Sequence, residues 1–188
     1  VIRELMLRLD FPTEKIDEVI IGNVIQDVES ANMARIAAKL GGLPDHVPAM
    51  TVNRNCASGM EAIANGFDKI RFGQARVIVA GGAESMSSIP IFGYSKELTE
   101  ILMAAAKAKT PAQRVQTLSK LRPNHLKPSV VSQNDPIANM TMGNTAEILV
   151  RDFGISREAQ DEFAFMSHQR ATAAHERLAE EIMPIIVP

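Results

Sequence analysis

Between Ile2 and Gly82 short apolar runs alternate with segments whose apolar residues recur at helical spacing, and this alternation limits the folds open to the chain. Ile2, Leu5, Met6 and Leu9 predict an opening helix that Phe11-Pro12 ends. Val19-Ile20-Ile21 predicts a buried strand, and Gly22-Asn23 separates it from Val24-Ile25 as a turn or loop. Met33, Ile36, Ala37 and Leu40 predict a second helix with a left-handed stop at Gly41-Gly42. A strand from about Ala49 to Arg54 leads into a third helix, on which Met60, Ile63, Phe67 and Ile70 form an inward stripe ending near Gly73. Arg76 to Ala80 predicts a further strand, followed by Gly81-Gly82. Strands and helices joined by short links argue for an α/β layered domain, its sheet largely parallel and covered on both faces.

Composition narrows the function classes. The chain has 188 residues, 46% of them apolar and 22% charged, with a formal net charge of -2, which fits a folded chain with a real core. No global field draws such a chain to nucleic acid or to an anionic membrane. No signal peptide or membrane span is legible, so a soluble chain is expected. The single cysteine excludes an internal disulfide and a cysteine-rich metal site, and fits a reducing compartment. His46, His125, His168 and His175 are scattered without a carboxylate motif, so no metal site is expected.

That single cysteine is Cys56, in the run Val52-Asn53-Arg54-Asn55-Cys56-Ala57-Ser58-Gly59-Met60, where a strand turns into a helix. The amides of a helix's first turn have no partners within the helix, and the macrodipole favours negative charge there. A nucleophilic sulfur fits this place, although a lone cysteine is also a common small apolar core residue.

The alternation stops after Ser87. From Gly93 to Pro128 there are two helical stretches, one with Leu98, Ile101, Leu102 and Ala105, the other with Val115, Leu118 and Leu121. Seven basic residues (Lys96, Lys107, Lys109, Arg114, Lys120, Arg122, Lys127) stand there against Glu97 and Glu100. A solvated face accounts for this excess, as does a patch for phosphate groups, an acidic partner or a membrane surface. After Asp135-Pro136, Met142 to Asp152 predicts a helix stopped at Gly154. Ser156 then caps a helix from Arg157 to about Ala179, and Ile185-Ile186-Val187 opens another strand.

From Val52 to Ile70 the chain resembles the nucleophile motif of the thiolase family: an apolar residue, Asn, a short step, then Cys, a small residue, Ser and Gly. The resemblance continues in Gly81-Gly82-Ala83-Glu84-Ser85-Met86-Ser87, in Met142-Gly143-Asn144-Thr145-Ala146-Glu147, and in Ile155-Ser156-Arg157-Glu158-Ala159-Gln160-Asp161 followed by Ser167-His168. It implies a thiolase-like α/β fold with a mixed, mostly parallel sheet covered by helices. The implied domain is residues 1–92 with 141–188, and 93–140 form a helical excursion. It implies thiolysis of a 3-ketoacyl-CoA, or the reverse condensation, through an acyl-Cys56 thioester. The Cys56 amide would help hold the oxyanion, a type of donor worth on the order of 10²–10³ in rate. Ser58, Gly59 and Met142 would border the acyl group, coenzyme A would be substrate rather than cofactor, and no metal would be needed. Ser156 reads as a cap and His168 as structural.

The resemblance covers most of the family's N-terminal half. The Arg-Thr-Pro run of the family's first strand, the Gly-His-Pro histidine and the Cys-x-Gly cysteine have no counterpart among the 188 residues. A chain lacking them is expected to be neither active nor very stable alone. The family implies a homodimer or homotetramer in a bacterial cytoplasm or a mitochondrial matrix. Thr141 stands where many short-chain biosynthetic thiolases have His, and Arg114 to Pro123 is similar to the excursion of β subunits of fatty-acid oxidation complexes. A degradative enzyme is expected on these grounds, with an α subunit or a membrane surface docking through 93–128. Acetyl-CoA acetyltransferase, a ketoacyl synthase, and a noncatalytic acyl-CoA-binding or assembly subunit of the same fold are the alternatives.

Overall fold

Val19, Ile20 and Ile21 are buried, as an uninterrupted apolar run requires of a central strand covered on both faces. The structure, a computed structural model, describes residues 1–26, 30–88, 96–126, 134–135 and 137–185. The three residues belong to β1 (Glu18–Gly22), which lies between β2 (Ala49–Val52) and β3 (Ile78–Gly82). Both pairings are parallel, with Ile20 in register with Met50 on one side and Ala80 on the other. Parallel neighbours need crossovers, and helices supply them: α2 (Met33–Leu40) joins β1 to β2, and α3 (Ser58–Arg71) joins β2 to β3.

Contacts divide the chain into two units, Val1–Ile89 with Arg177–Pro188, and Pro90–Glu176. In the first, α1 (Ile2–Leu9) packs on α2, and Met6, Ile16, Val19, Ile21, Ala34, Ala38, Leu43, Val47 and Val79 form one apolar core. Asn32 caps α2 by accepting from the Arg35 amide at 3.1 Å, and the Gly42 φ of 88° provides the left-handed stop. In the second unit, α4 (Lys96–Lys107) and α5 (Pro111–Leu118) pack together. An antiparallel pair, β4 (Asn134–Asp135) and β5 (Met140–Thr141), leads into α6 (Met142–Phe153) and α7 (Arg157–Ala173). Ser156 caps α7 as expected, accepting from the Ala159 amide, and Gly154 closes α6 at φ 60°.

Several expectations are corrected. The stripe Met60, Ile63, Phe67 and Ile70 does not face the sheet; Met60 is 69% and Phe67 60% exposed. Ser58, Ala62 and Gly66, four residues apart, are the buried face of α3. A Cβ on Gly66 would lie 3.3 Å from Ile78 Cγ2, so the helix sits too close to β3 for larger residues. The same holds for α2, where Ala34 and Ala38 are buried and Leu40 is exposed.

β2 stops at Val52, before the expected Arg54, because Asn53 bonds its side chain to the Asn55 amide and leaves the ladder. β3 runs from Ile78 through Gly82 instead of from Arg76 to Ala80. The Asp17 carboxylate takes the Arg76 and Val77 amides away from the ladder, while Gly81 and Gly82 pair with Ile21 and Gly22. The last long helix breaks at Ala174, beside Thr172, whose hydroxyl donates to the His168 carbonyl; α8 (His175–Glu181) comes next. Ile185 lies outside any strand, and Ile186 and Val187 fall outside the described residues, as do Gly93 and the 127–133 stretch. Among the described residues no helix is long and apolar enough to cross a membrane.

Asp17 fastens the start of β3, and the amides of Arg76 and then Val77 hold its carboxyl below its ordinary 3.8. A carboxyl lowered on folding contributes stability that is full above the unfolded value and is lost as pH falls through the folded one. Urea unfolding at decreasing pH is expected to show stability falling below about pH 4, and Asp17→Asn to flatten part of that fall. An identical pH dependence in the variant would contradict this anchoring role.

Candidate active site at Cys56

Five residues, 53–57, carry the chain from β2 into α3, and their backbone is fixed almost entirely from within. The Asn53 side chain accepts from the Asn55 amide at 3.0 Å. The Ser58 hydroxyl accepts from the Arg54 amide at 2.9 Å and donates to the Asn55 carbonyl at 2.6 Å. The Ala57 amide donates to Arg54, and the Ser58 amide to Asn55. Closing so tight a turn puts Asn55 at φ 48°, a left-handed conformation that asparagine tolerates better than most residues. The amides on either side of Cys56 are thus engaged, while among the described residues no acceptor is paired with the Cys56 amide itself.

Cys56 is an exposed free thiol on a cavity of about 350 Å³. The cavity lies at the carboxyl ends of the parallel strands, where open α/β sheets bind ligands. Gly22 and Asn23 wall it from the end of β1, Gly82 to Glu84 from the end of β3, and Ser58 and Gly59 from α3. Three glycines set its depth. A Cβ on Gly22 would overlap the Ser58 carbonyl and lie 2.6 Å from the Gly59 nitrogen, and one on Gly82 would lie 3.4 Å from Gly59 Cα. A Cβ on Gly59 would meet nothing within 4 Å, so the absent side chain there leaves open space.

Of the residues expected at the site, the structure brings Cys56, Ser58 and Gly59 onto one cavity. Ser58 is buried, with its hydroxyl engaged on both sides, so it shapes the turn. Met142 opens α6 in the second unit and is exposed. Thr141 before it is the helix cap, accepting from the Asn144 amide at 3.2 Å. The charge nearest in sequence, Arg54, is paired with Glu61 at 2.5 Å. Among the described residues no group of His, Cys, Asp or Glu side chains is arranged to hold a metal.

Sequence reasoning misses Asn23, and it takes Glu84 only as part of the Gly81 to Ser87 motif, without a role of its own. Asn23 is buried and donates to the Ala83 carbonyl and to Glu84, which also accepts from the Val24 and Ile25 amides. The available signal is a polar residue one or two positions after the glycine that ends a strand, on two strands that prove to be neighbours.

A parallel sheet covered by helices, with its one cysteine exposed at a strand-to-helix turn, defines an α/β domain built to present a sulfur at the strands' carboxyl ends. Comparison with known proteins names the family. The thiolase N-terminal domain profile matches residues 1–188. The mitochondrial trifunctional enzyme subunit beta of Bos taurus is 40% identical over 185 residues, which are 98% of this chain and 39% of that protein. A 3-ketoacyl-CoA thiolase of Escherichia coli is 38% identical over 190 residues, covering 100% of this chain and 43% of that protein. The structure of the Bacillus anthracis acetyl-CoA acetyltransferase superposes with a TM-score of 0.77 at 34% identity, over 100% of this chain and 44% of that one. The Acat5 thiolase of Ascaris suum, solved in complex with coenzyme A, gives 0.77 at 27% identity, over 98% and 44%. The chain belongs to the thiolase family, and it spans about two-fifths of the length of these curated relatives.

Gly22→Ala sets a methyl against backbone atoms that no rotamer change can move. It is expected to cost about 2–3 kcal/mol in urea unfolding. Gly81→Ala, with no atom within 4 Å of the new methyl, is expected to stay within about 0.5 kcal/mol of wild type. Equal stabilities of the two variants would contradict the close approach of α3 to β1.

Proposed function

We propose that this chain supplies the nucleophile of an acyltransferase that cleaves 3-ketoacyl-CoA with coenzyme A. Cys56 Sγ attacks the 3-keto carbon, and the bond between carbons 2 and 3 breaks. The leaving enolate takes a proton to become acetyl-CoA, and the acyl group stays on sulfur as a thioester. The thiol of a second coenzyme A then takes the acyl group and returns a proton to Cys56; condensation is the same sequence reversed. The observation that carries this reading is an exposed sulfur on a cavity, attached to a residue whose own amide has no acceptor among the described residues. Such an amide is a preorganised donor for the oxyanion that forms when the thiol adds to a carbonyl.

Gly59 leaves room for the acyl chain in this reading, Ser58 holds the turn, and Met142 borders the acyl pocket in the assembled enzyme. The bases that accept the thiol proton and serve the α-carbon are the Gly-His-Pro histidine and the Cys-x-Gly cysteine of the family's C-terminal half. Coenzyme A is a substrate, and no metal takes part. Residues 1–92 and 141–188 form the thiolase domain in the whole protein, 93–140 are its excursion, and the assembly is a homodimer or homotetramer.

Degradation is favoured over synthesis because a 3-ketoacyl-CoA thiolase and a trifunctional enzyme β subunit are similar to the chain along nearly its whole length. Such an enzyme works in a bacterial cytoplasm or a mitochondrial matrix. The likeness to an acetyl-CoA acetyltransferase supports acetoacetyl-CoA formation as the second reading.

Docking of an α subunit or a membrane surface is proposed for the basic stretch 93–128. Arg114 is set apart from that role because its Nε donates to the Ala105 carbonyl and braces α4 and α5. Exchanging Lys107, Lys109 and Lys120 for Glu is expected to abolish association with the partner or with anionic vesicles and to leave turnover intact. Unchanged association would remove the docking proposal.

The nucleophile is tested in the full-length protein by brief incubation with a 3-ketoacyl-CoA, acid quench and mass analysis of the peptide carrying Cys56. One acyl group is expected on that peptide and none on Cys56→Ser. An unmodified peptide from a protein that turns over would reject Cys56 as the acyl carrier.

A further inference from the structure

Three N–H donors after β1 converge on one carboxylate. Glu84 accepts from Asn23 Nδ2 at 3.0 Å, from the Val24 amide at 2.8 Å and from the Ile25 amide at 3.2 Å. Asn23 gives its second amide proton to the Ala83 carbonyl at 2.9 Å, which fixes its orientation. Its Oδ1 is consequently buried without a partner among the described residues. The donors opposed to Glu84 engage both of its carboxylate oxygens, Asn23 and Ile25 on one and Val24 on the other. Glu84 therefore locks segment 23–25 to the end of β3.

The locked segment reaches Cys56. The Val24 carbonyl accepts from Asn53 Nδ2 at 3.1 Å, and Asn53 Oδ1 accepts from the Asn55 amide at 3.0 Å. Asn55 is the left-handed residue directly before the cysteine. Without an external anchor, a turn at positive φ has conformations of lower energy to relax into. Asn53 provides that anchor, and Glu84 keeps its far end in place.

We infer that Glu84 is a positioning residue that sets the Cys56 sulfur and amide through a relay of hydrogen bonds from Glu84 to Val24, Asn53 and Asn55. The inference rests on the acyl-transfer reading for its consequence, though not for its geometry. Glu84 needs no contact with substrate for this. Its carboxylate is suited because both oxygens are pure acceptors facing three N–H donors; a glutamine would turn an NH₂ group toward at least one of them.

The test is a cycle of Glu84→Gln, Asn53→Asp and the double variant in the full-length protein. Asn53→Asp keeps the acceptor for the Asn55 amide and loses the donor to Val24. Two rates are measured: acylation of Cys56 by a 3-ketoacyl-CoA, and alkylation of Cys56 by iodoacetamide, a reagent that needs no substrate site. Each single variant is expected to slow acylation at saturating substrate about tenfold, as misplacement of a reacting group does, with the half-saturating concentration unchanged. The double variant is expected to be no slower than the slower single one, because both cut one relay. Alkylation should show the same non-additive pattern, read on the Cys56 peptide alone. Effects that multiply to about a hundredfold, or single variants that match wild type, overturn the relay. Absence of acylation in the wild-type protein would instead sink the acyl-transfer reading, and the alkylation cycle would still decide the relay. Variants with lowered melting temperature are compared at temperatures where each is folded, so loss of stability is not read as loss of position.

Discussion

The site depends on how closely the first turn of α3 approaches the ends of β1 and β3. Gly22 permits that approach, since a methyl there would overlap the backbone of Ser58, while one on Gly82 would come into contact with Gly59. Only residues 53–57 separate the end of β2 from the start of α3. The chain must therefore turn within residues 53–57, at the cost of a left-handed Asn55. Cys56 stands at the crest of that turn because the residues around it are consumed in making it.

The turn divides labour among its amides. Those of Arg54, Asn55, Ala57 and Ser58 close it, and among the described residues no acceptor is paired with that of Cys56. A free amide beside an exposed sulfur is what acyl transfer needs, because the tetrahedral oxygen forms next to the atom that attacks. The serine of the motif is there to tie Arg54 to Asn55, and its burial results from that task. Glu84 and Asn53 hold the same turn from the side of β1. The motif around Cys56 and the motif after β3 are thus two ends of one hydrogen-bonded structure.

Much of this is legible in the chain and some of it is not, for physical reasons. Val19-Ile20-Ile21 reads correctly as a buried strand because a run apolar on both faces has few other places to go. Ser156 reads correctly as a cap because its bond to the Ala159 amide is local. The buried face of α3 is misjudged because periodicity weights large residues, whereas close helix-to-sheet packing selects Ser58, Ala62 and Gly66. β3 is misplaced by two residues because Asp17, about sixty positions away in sequence, competes for its first amides. Glu84 and Asn23 are invisible as a pair for the same reason: their meeting depends on β1 and β3 being neighbours, and periodicity along one strand carries no such information. The cysteine itself is legible, since a single sulfur in a strand-to-helix run is a local feature, but the state of its amide is not.

Whether the turn frees the Cys56 amide to hold the oxyanion of acyl transfer is tested most directly by a crystal structure of the full-length protein trapped with an acyl group on Cys56. The thioester carbonyl oxygen is expected about 2.7–3.1 Å from the Cys56 nitrogen, with Asn55 still left-handed and Asn53 still joined to Val24. A thioester oxygen directed away from that nitrogen, or a Cys56 amide bonded to protein in the acylated state, would contradict this role.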